Sequence, residues 1–132
     1  MMHRFPLRVY YEDTDMAGIV YYANYLRYIE RARSDWVRDI GIDQLAFKAE
    51  GVVFAVRRIE ADYLQPARFD DALEVVTTLK KLSPARMIMA QKVLRADDLL
   101  FAADVTIACI GANGKPVKLP AELRSMPISP GG

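Results

Sequence analysis

The spacing of apolar residues predicts one long amphipathic helix. Between Asn24 and Ile40 apolar residues recur every three or four positions, and charged residues occupy the opposite side. The predicted buried face consists of Tyr25, Leu26, Ile29, Ala32, Trp36, Val37 and Ile40. Asn24 is the expected N-cap, and Gly41 follows the last periodic residue, where helices commonly end in a left-handed turn.

The other apolar segments alternate with a period of two and predict five strands. One strand precedes the helix at about residues 5–11, and four follow it, at about residues 54–63, 73–80, 86–96 and 99–110. The apolar residues of the second strand switch from even to odd positions at Arg57-Arg58, which predicts a bulge there. This order predicts an α+β fold in which an antiparallel five-stranded sheet wraps around one long helix.

The minor elements complete one expected domain over residues 1–132. Residues 42–50 are expected to form one or two helical turns, and the pair Asp97-Asp98 marks a hairpin turn. Pro120 is expected to open a last short helix, and the chain from about residue 127 is expected to be a loose tail.

Composition narrows the functional classes. The chain of 132 residues is 52% apolar, which suits one domain with its own core. Eighteen basic residues oppose 17 acidic ones, so no electrostatic case exists for nucleic acid as the main partner. No segment approaches the roughly 20 apolar residues of a membrane helix, and the first residues lack the apolar run of a signal peptide. We therefore expect a cytoplasmic protein.

Two residue types occur once each. Cys109 is the only cysteine, which excludes an internal disulfide and a cysteine-based metal cluster. His3 is the only histidine, and near an expected mobile terminus it is interpreted as a spectator.

The segment from Val9 to Arg33 carries the candidate chemistry. Glu12, Asp13 and Asp15 precede the helix, and Gly18 lets the backbone approach a ligand or another backbone segment closely. The residue types alone favour a solvated acidic turn that caps the helix. A metal site on Asp13 and Asp15 lacks further ligands at a recognisable spacing, so no metal is expected.

Two sequence blocks resemble a known enzyme family. The first is Tyr11-Glu-Asp-Thr-Asp-Met-Ala-Gly-Ile-Val-Tyr-Tyr-Ala-Asn-Tyr-Leu26, and the second is Asp62-Tyr-Leu-Gln-Pro-Ala-Arg-Phe-Asp-Asp71. Both resemble hotdog-fold acyl-CoA thioesterases of the 4-hydroxybenzoyl-CoA thioesterase type, most closely the bacterial branch associated with the Tol-Pal system. The resemblance covers about residues 5–125. It implies an acyl-CoA substrate, no cofactor, and a homodimer or homotetramer, because hotdog sites usually lie between subunits.

The resemblance also implies roles for individual residues. Asp15 matches the catalytic carboxylate, which acts as nucleophile or as general base. The backbone N–H at Tyr22 matches the donor to the oxyanion, whereas many members of the Tol-Pal branch carry histidine at this position. Tyr11, Gly18 and Asn24 are the further candidates for substrate contact. Tyr11 is equally compatible with a core role, and capping is favoured over substrate contact for Asn24.

Three basic residues are candidates for binding the phosphates of coenzyme A. Lys80, Lys81 and Arg86 flank one predicted turn. This turn lacks the dense basic cluster of the hydroxybenzoyl-CoA type, so an acyl-carrier-protein donor is an alternative substrate.

Two functions of different classes remain. The first is an acyl-CoA thioester hydrolase, favoured by the retention of Asp15 and Gly18. The second is a module that binds acyl-CoA or acyl carrier protein, or scaffolds lipid enzymes, with little turnover. It is favoured by the absence of a histidine at position 22. A dehydratase is disfavoured because that chemistry in related folds uses a histidine.

Overall fold

An antiparallel sheet of five strands surrounds one long helix in the computed structural model, which describes residues 1–128. The strands are β1 (Met2–Arg8), β2 (Val53–Tyr63), β3 (Ala72–Leu82), β4 (Arg86–Arg95) and β5 (Asp98–Ile110). The helices are α1 (Asn24–Asp39), α2 (Gln44–Ala49) and α3 (Ala121–Arg124), and Tyr11–Asp13 form a 3-10 turn. The sheet order is β1-β3-β4-β5-β2, with every neighbouring pair antiparallel. The predicted α+β class is confirmed.

Helix α1 buries one face in the hydrophobic core. The buried residues of the helix are Tyr25, Tyr28, Ile29, Ala32, Trp36 and Val37. The periodicity missed Tyr28, which is fully buried and packs edge-on against Tyr25 at 5.9 Å between ring centroids. It wrongly included Leu26, which is 38% exposed. The observed buried face otherwise shares Tyr25, Ile29, Ala32, Trp36 and Val37 with the predicted face.

The first strand was predicted three residues too late. It ends at Arg8 because the Asp13 carboxylate accepts a hydrogen bond from the Tyr10 N–H at 2.8 Å. The Asp13 N–H in turn donates to the Tyr10 carbonyl oxygen at 3.0 Å, which closes a turn instead of extending the strand. At its other end β1 pairs with β3 from Met2 onward, so His3 lies in the sheet and the expected mobile terminus is wrong.

Most of the turn chemistry agrees with the sequence. The predicted bulge lies in β2 between Val56 and Arg58, where the register with β5 shifts. Gly41 has a φ of +88°, and its N–H donates to the Arg38 carbonyl oxygen at 3.0 Å, as expected for a helix C-terminus. The β4–β5 hairpin turns one residue earlier than predicted, at Ala96-Asp97, because Asp98 already pairs with Arg95.

The remaining segments surround this core. Helix α2 begins after Asp43, whose carboxylate accepts hydrogen bonds from the N–H groups of Leu45 and Ala46. Pro120 precedes α3, close to where a last helix was predicted. Residues 127 and 128 belong to no helix or strand, and residues 129–132 of the expected tail lie outside the described residues. Within the described chain, every helix is too short or too polar to span a bilayer.

Candidate active site

A tight acidic hairpin precedes α1. The Asp15 N–H donates to the Ile19 carbonyl oxygen at 2.9 Å, and the Gly18 N–H donates to the Asp15 carbonyl oxygen at 3.0 Å. Gly18 has a φ of +77°, a conformation that costs glycine little and other residues more. The Val20 N–H then donates to the Ala67 carbonyl oxygen at 2.8 Å. The hairpin is therefore anchored to the loop that precedes β3.

The acids of this hairpin have different partners. The Asp13 carbonyl oxygen accepts hydrogen bonds from the Tyr21 N–H at 2.9 Å and from Asn24 Nδ2 at 3.0 Å, which joins the loop to the helix. Asp15 is exposed, and its Oδ1 accepts only the Ala17 N–H, at 2.9 Å. Asp15 Oδ2 accepts no hydrogen bond from any residue between 1 and 128. Of these two aspartates, Asp15 is therefore the exposed one with an oxygen available to a ligand.

Asn24 is not the N-cap that the sequence predicted. The N-cap is Ala23, which has helical angles and forms no side-chain cap. The chain enters the helix through a turn in which the Asn24 N–H donates to the Tyr21 carbonyl oxygen at 2.8 Å, so Asn24 is already helical. Its side chain bonds upstream to Asp13 and lies outside the lining of the cleft described below. Asn24 thus holds the acidic loop against α1.

The start of α1 presents two unpaired backbone donors. The N–H groups of Tyr22 and Ala23 have no hydrogen-bond acceptor within the described chain. They lie at the positive end of the helix macrodipole, which favours negative charge. The Tyr22 carbonyl oxygen accepts a hydrogen bond from the Tyr63 hydroxyl at 3.1 Å, which ties the helix start to the end of β2.

Asp15 and Tyr22 border one cleft. Its volume is about 390 Å³, and it is lined by Asp15, Ile19, Val20, Tyr21, Tyr22, Tyr25, Tyr63, Leu64, Gln65 and Pro66. Tyr25 stacks on Phe101 with ring centroids 5.0 Å apart, and Tyr63 contacts the edges of both rings. An apolar, aromatic cleft with one free carboxylate suits an acyl group with a reactive carbonyl.

Three tyrosines of the cleft, Tyr21, Tyr25 and Tyr63, have a raised pKa and stay protonated near neutral pH. Burial raises the pKa of Tyr25 and that of Tyr63 above the usual value for tyrosine. The neighbouring Tyr22 raises the pKa of Tyr21. A phenol with a raised pKa is a hydrogen-bond donor and a poor base. Asp15 is therefore the candidate base of the cleft.

An ion pair holds the loop on the far side of the cleft. Arg95 donates to the Pro66 carbonyl oxygen at 3.2 Å and to Asp71 Oδ2 at 2.9 Å. Burial alone would raise the pKa of Asp71, but hydrogen bonds from the Arg68 N–H and from Arg95 hold it below its usual value. The loop from Pro66 to Asp71 is thus fixed against the β4–β5 hairpin.

The other predicted contact residues lie elsewhere. Tyr11 is 79% exposed, contacts Phe69 edge-on and does not line the cleft. Lys80 forms an ion pair with Asp104 at 2.6 Å. A separate surface groove of about 470 Å³ is lined by Arg57, Arg58, Lys81, Ser83, Arg86, Met87, Ile88 and Thr106. The structure therefore unites Asp15 with Tyr22 and leaves the predicted lysines and arginine outside their cleft.

The sequence analysis missed several lining residues. Tyr63, Leu64, Gln65 and Pro66 belong to the second block of the family resemblance, so a signal was present, but it was not assigned to the site. Arg57 and Arg58 were interpreted only as a bulge. The bulge directs both arginines toward the groove that also contains Lys81 and Arg86.

Comparison of the sequence with known proteins gives consistent matches. The profile of the thioesterase-like superfamily matches residues 9–126. The acyl-CoA thioester hydrolase YbgC of Escherichia coli O6:H1 is 39% identical over 124 residues, 92% of each chain. The acyl-CoA thioesterase YbgC of Haemophilus influenzae is 37% identical over 123 residues, 92% of this chain and 90% of that protein.

Solved structures match over nearly the whole chain as well. A probable thioesterase from Bartonella henselae is 39% identical with a TM-score of 0.86, over 91% of this chain and 100% of that chain. The 1,4-dihydroxy-2-naphthoyl-CoA thioesterase Slr0204 from Synechocystis has a TM-score of 0.88, over 95% of this chain and 94% of that chain. Its identity is 23%, so it supports the shared fold alone.

Proposed function

Because this chain belongs to the thioesterase-like superfamily and has the hotdog fold, we propose that it hydrolyses acyl-CoA thioesters with Asp15 as the catalytic carboxylate. The family, the fold and the enzyme class that the sequence predicted are confirmed. One observation carries the assignment of the site. Asp15, whose Oδ2 is unpaired in residues 1–128, and Tyr22, whose N–H is unpaired there, line one apolar cleft.

The proposed reaction needs only groups that meet at this cleft. As a general base, Asp15 takes a proton from water while the water oxygen adds to the thioester carbonyl carbon. As a nucleophile, Asp15 adds to that carbon and forms an anhydride that water then opens. In both routes the C–S bond breaks, the thiolate of coenzyme A takes up a proton, and the acid is released.

The backbone at the helix start stabilises the negative charge that develops on the carbonyl oxygen. The N–H groups of Tyr22 and Ala23 are unpaired and lie at the positive end of α1. One such donor contributes about 3 to 4 kcal/mol to the transition state, or roughly a hundredfold to a thousandfold in rate. Because the donors belong to the backbone, tyrosine in place of histidine at position 22 preserves them. We propose that catalysis here uses no imidazole.

We propose that the cationic groove, defined by Arg57, Arg58, Lys81 and Arg86, binds the phosphates of coenzyme A. Of these residues, only Arg58 forms an ion pair within residues 1–128, with Glu60. The other three cations are exposed and lack a carboxylate partner in the described chain. Lys80 is a weaker candidate than predicted, because Asp104 already neutralises it.

Pairing of two subunits along β2 would connect the cleft with this groove. β2 is an edge strand with a row of unpaired backbone groups, whereas Pro6 interrupts the other edge strand, β1. Antiparallel pairing of β2 with a second copy would place Tyr63 of one subunit near the Val53 end of the other. The chain is then at least a homodimer with a composite site, and this pairing is also compatible with a tetramer.

The first experiment measures thiol release from short-chain, long-chain and aromatic acyl-CoAs by the purified protein. We expect hydrolysis of at least one class. Saturable acyl-CoA binding without thiol release would contradict the proposal and support the binding module, which Tyr22 in place of histidine favours. An acyl-carrier-protein donor, a cytoplasmic location and an association with the Tol-Pal system stay predictions.

The cationic groove is tested with two substrates, an acyl-CoA and the corresponding thioester of N-acetylcysteamine, which lacks the phosphates. Lys81→Gln and Arg86→Gln together should raise KM for acyl-CoA at least tenfold, because the loss of even one charge-assisted phosphate contact typically costs about 1.5 kcal/mol. KM for the same acyl group on N-acetylcysteamine should not change. Lys92→Gln, which removes an exposed charge on β4, is the control. An unchanged KM for acyl-CoA would place the phosphates elsewhere.

A further inference from the structure

A second cluster of titratable side chains lies at the C-terminal end of α1. His3 Nε2 is 2.9 Å from Asp35 Oδ2 and 3.4 Å from Asp39 Oδ2. One nitrogen and two carboxylate oxygens therefore converge, all within 4.8 Å of one another. None of these residues lines the Asp15 cleft.

The scaffold holds the three side chains in this arrangement. His3 lies in β1 opposite Thr77 of β3, and its side chain is only 9% exposed. Asp35 and Asp39 are four residues apart and therefore project from the same side of α1. The cluster joins the edge strand of the sheet to the end of the central helix, and its imidazole is fixed by burial.

The electrostatics of this place favour a bound cation. Both carboxylates lie in or near the last turn of α1, at the negative end of the helix macrodipole. Two like charges four residues apart on a helix also repel each other. Neither Asp35 nor Asp39 contacts a lysine or an arginine within residues 1–128, and Arg38 in the same turn forms no ion pair there. Among the basic side chains of residues 1–128, that of His3 is the one that contacts these two carboxylates.

The separations match those around a transition metal. Ligand atoms about 2.1 Å from a metal are about 3.0 Å apart at right angles and about 3.4 Å apart in a tetrahedron. The two distances, 2.9 and 3.4 Å, lie at these values, and without an ion the shorter one is a hydrogen bond between His3 Nε2 and Asp35 Oδ2. A nitrogen with two carboxylate oxygens is a ligand set that Zn²⁺ accepts, and water can complete its coordination.

We propose that His3, Asp35 and Asp39 form a Zn²⁺ site that joins β1 to α1. The site does not take part in the proposed hydrolysis and does not depend on it. Its affinity should be moderate, because His3 Nδ1 is buried without a hydrogen-bond partner among residues 1–128 and so lacks the second anchor that usually orients a metal-bound imidazole. Asp39 is 61% exposed, which leaves one side open to solvent and to exchange of the ion.

The test uses protein that has been treated with a chelator and dialysed. Titration calorimetry with ZnCl₂ should give one site per chain with a micromolar dissociation constant, and zinc should raise Tm by several degrees. Asp39→Asn should weaken binding at least tenfold. Because Asp39 is mostly exposed, this variant should fold, which circular dichroism checks. Cys109 does not compete for zinc because it is buried.

Two control variants separate this site from other carboxylates. Glu50→Gln removes one exposed negative charge that has no ion-pair partner in the described chain, and Asp15→Asn removes the carboxylate of the cleft. Both should bind zinc as the unmodified chain does. The proposal would be overturned if the unmodified chain did not bind zinc, or if Asp39→Asn bound zinc as tightly as the unmodified chain. The cluster would then be a simple histidine–aspartate pair.

Discussion

At the scale of single residues, hydrogen-bond partners separate acids that look alike in the sequence. Asp13 and Asp15 are two positions apart, yet Asp13 joins the loop to α1 and Asp15 keeps a free oxygen. The sequence motif pointed to Asp15, the acid that keeps the free oxygen. It gave no role to Tyr63, because an aromatic residue at a strand end is usually a core residue, and its bond to the Tyr22 carbonyl joins segments 41 residues apart.

Tyr63→Phe tests whether this hydroxyl positions the helix start. Loss of one hydrogen bond costs about 0.5 to 1.5 kcal/mol, so we expect kcat to fall about threefold to tenfold, with little change in KM. Tyr10→Phe, an exposed tyrosine outside the cleft, should leave both constants unchanged. An unaltered kcat in Tyr63→Phe would show that the helix start needs no such support.

At the scale of elements, hydrophobic periodicity predicted α1 and the bulge of β2, but it misplaced the end of β1. That end depends on the bond from the Tyr10 N–H to the Asp13 carboxylate, which the alternation of apolar residues does not encode. Hydrophobic periodicity also does not predict the burial of Gln91, a polar residue on β4 that is fully buried. Gln91 donates to the Ile29 carbonyl oxygen and to Thr77, both at 2.9 Å, and accepts from Arg33 at 3.0 Å.

Gln91 therefore joins α1 to the sheet, and its removal should destabilise the fold. Gln91→Met keeps the approximate volume but leaves Arg33, whose pKa is lowered by burial, without its acceptor. We expect the free energy of unfolding in urea to fall by about 2 kcal/mol. Lys92→Gln, on the exposed neighbouring position, should change it by less than about 0.5 kcal/mol.

A double-mutant cycle identifies the cause of that loss. Arg33→Met should cost less in the Gln91→Met background than in the unmodified chain, with a coupling energy of about 1 kcal/mol. Additive effects of the two substitutions would mean that packing, rather than the hydrogen bond, determines the loss.

At the scale of the whole molecule, the cations predicted to bind phosphate lie outside the cleft that contains Asp15. Lys81 and Arg86 were expected near the pocket, but in one subunit they lie in a groove that shares no lining residue with the cleft. A sequence motif identifies candidate residues of a site. The distances between these residues depend on the order of the strands in the sheet and on how subunits pair. Pairing along β2 is the arrangement that we propose to bring the two surfaces together.

Val56→Lys tests that pairing. Val56 lies on β2 and is 47% exposed, so a lysine there should be tolerated by one subunit but should place two charges in the proposed interface. Size-exclusion chromatography with light scattering should show dimers for the unmodified chain and monomers for the variant. Leu45→Lys, on the 80% exposed side chain of α2, should stay dimeric. A monomeric unmodified chain would contradict the composite site.

The most direct test of the central claim compares acyl-CoA hydrolysis by Asp15→Asn with that by Glu12→Gln. Both variants neutralise one exposed carboxylate of the same loop, but only Asp15 lines the cleft. We predict that Asp15→Asn lowers kcat at least a hundredfold with the fold intact, because no other carboxylate borders the cleft in the described chain. Glu12→Gln should retain nearly full activity. Activity of Asp15→Asn within tenfold of the unmodified chain would contradict the proposed mechanism.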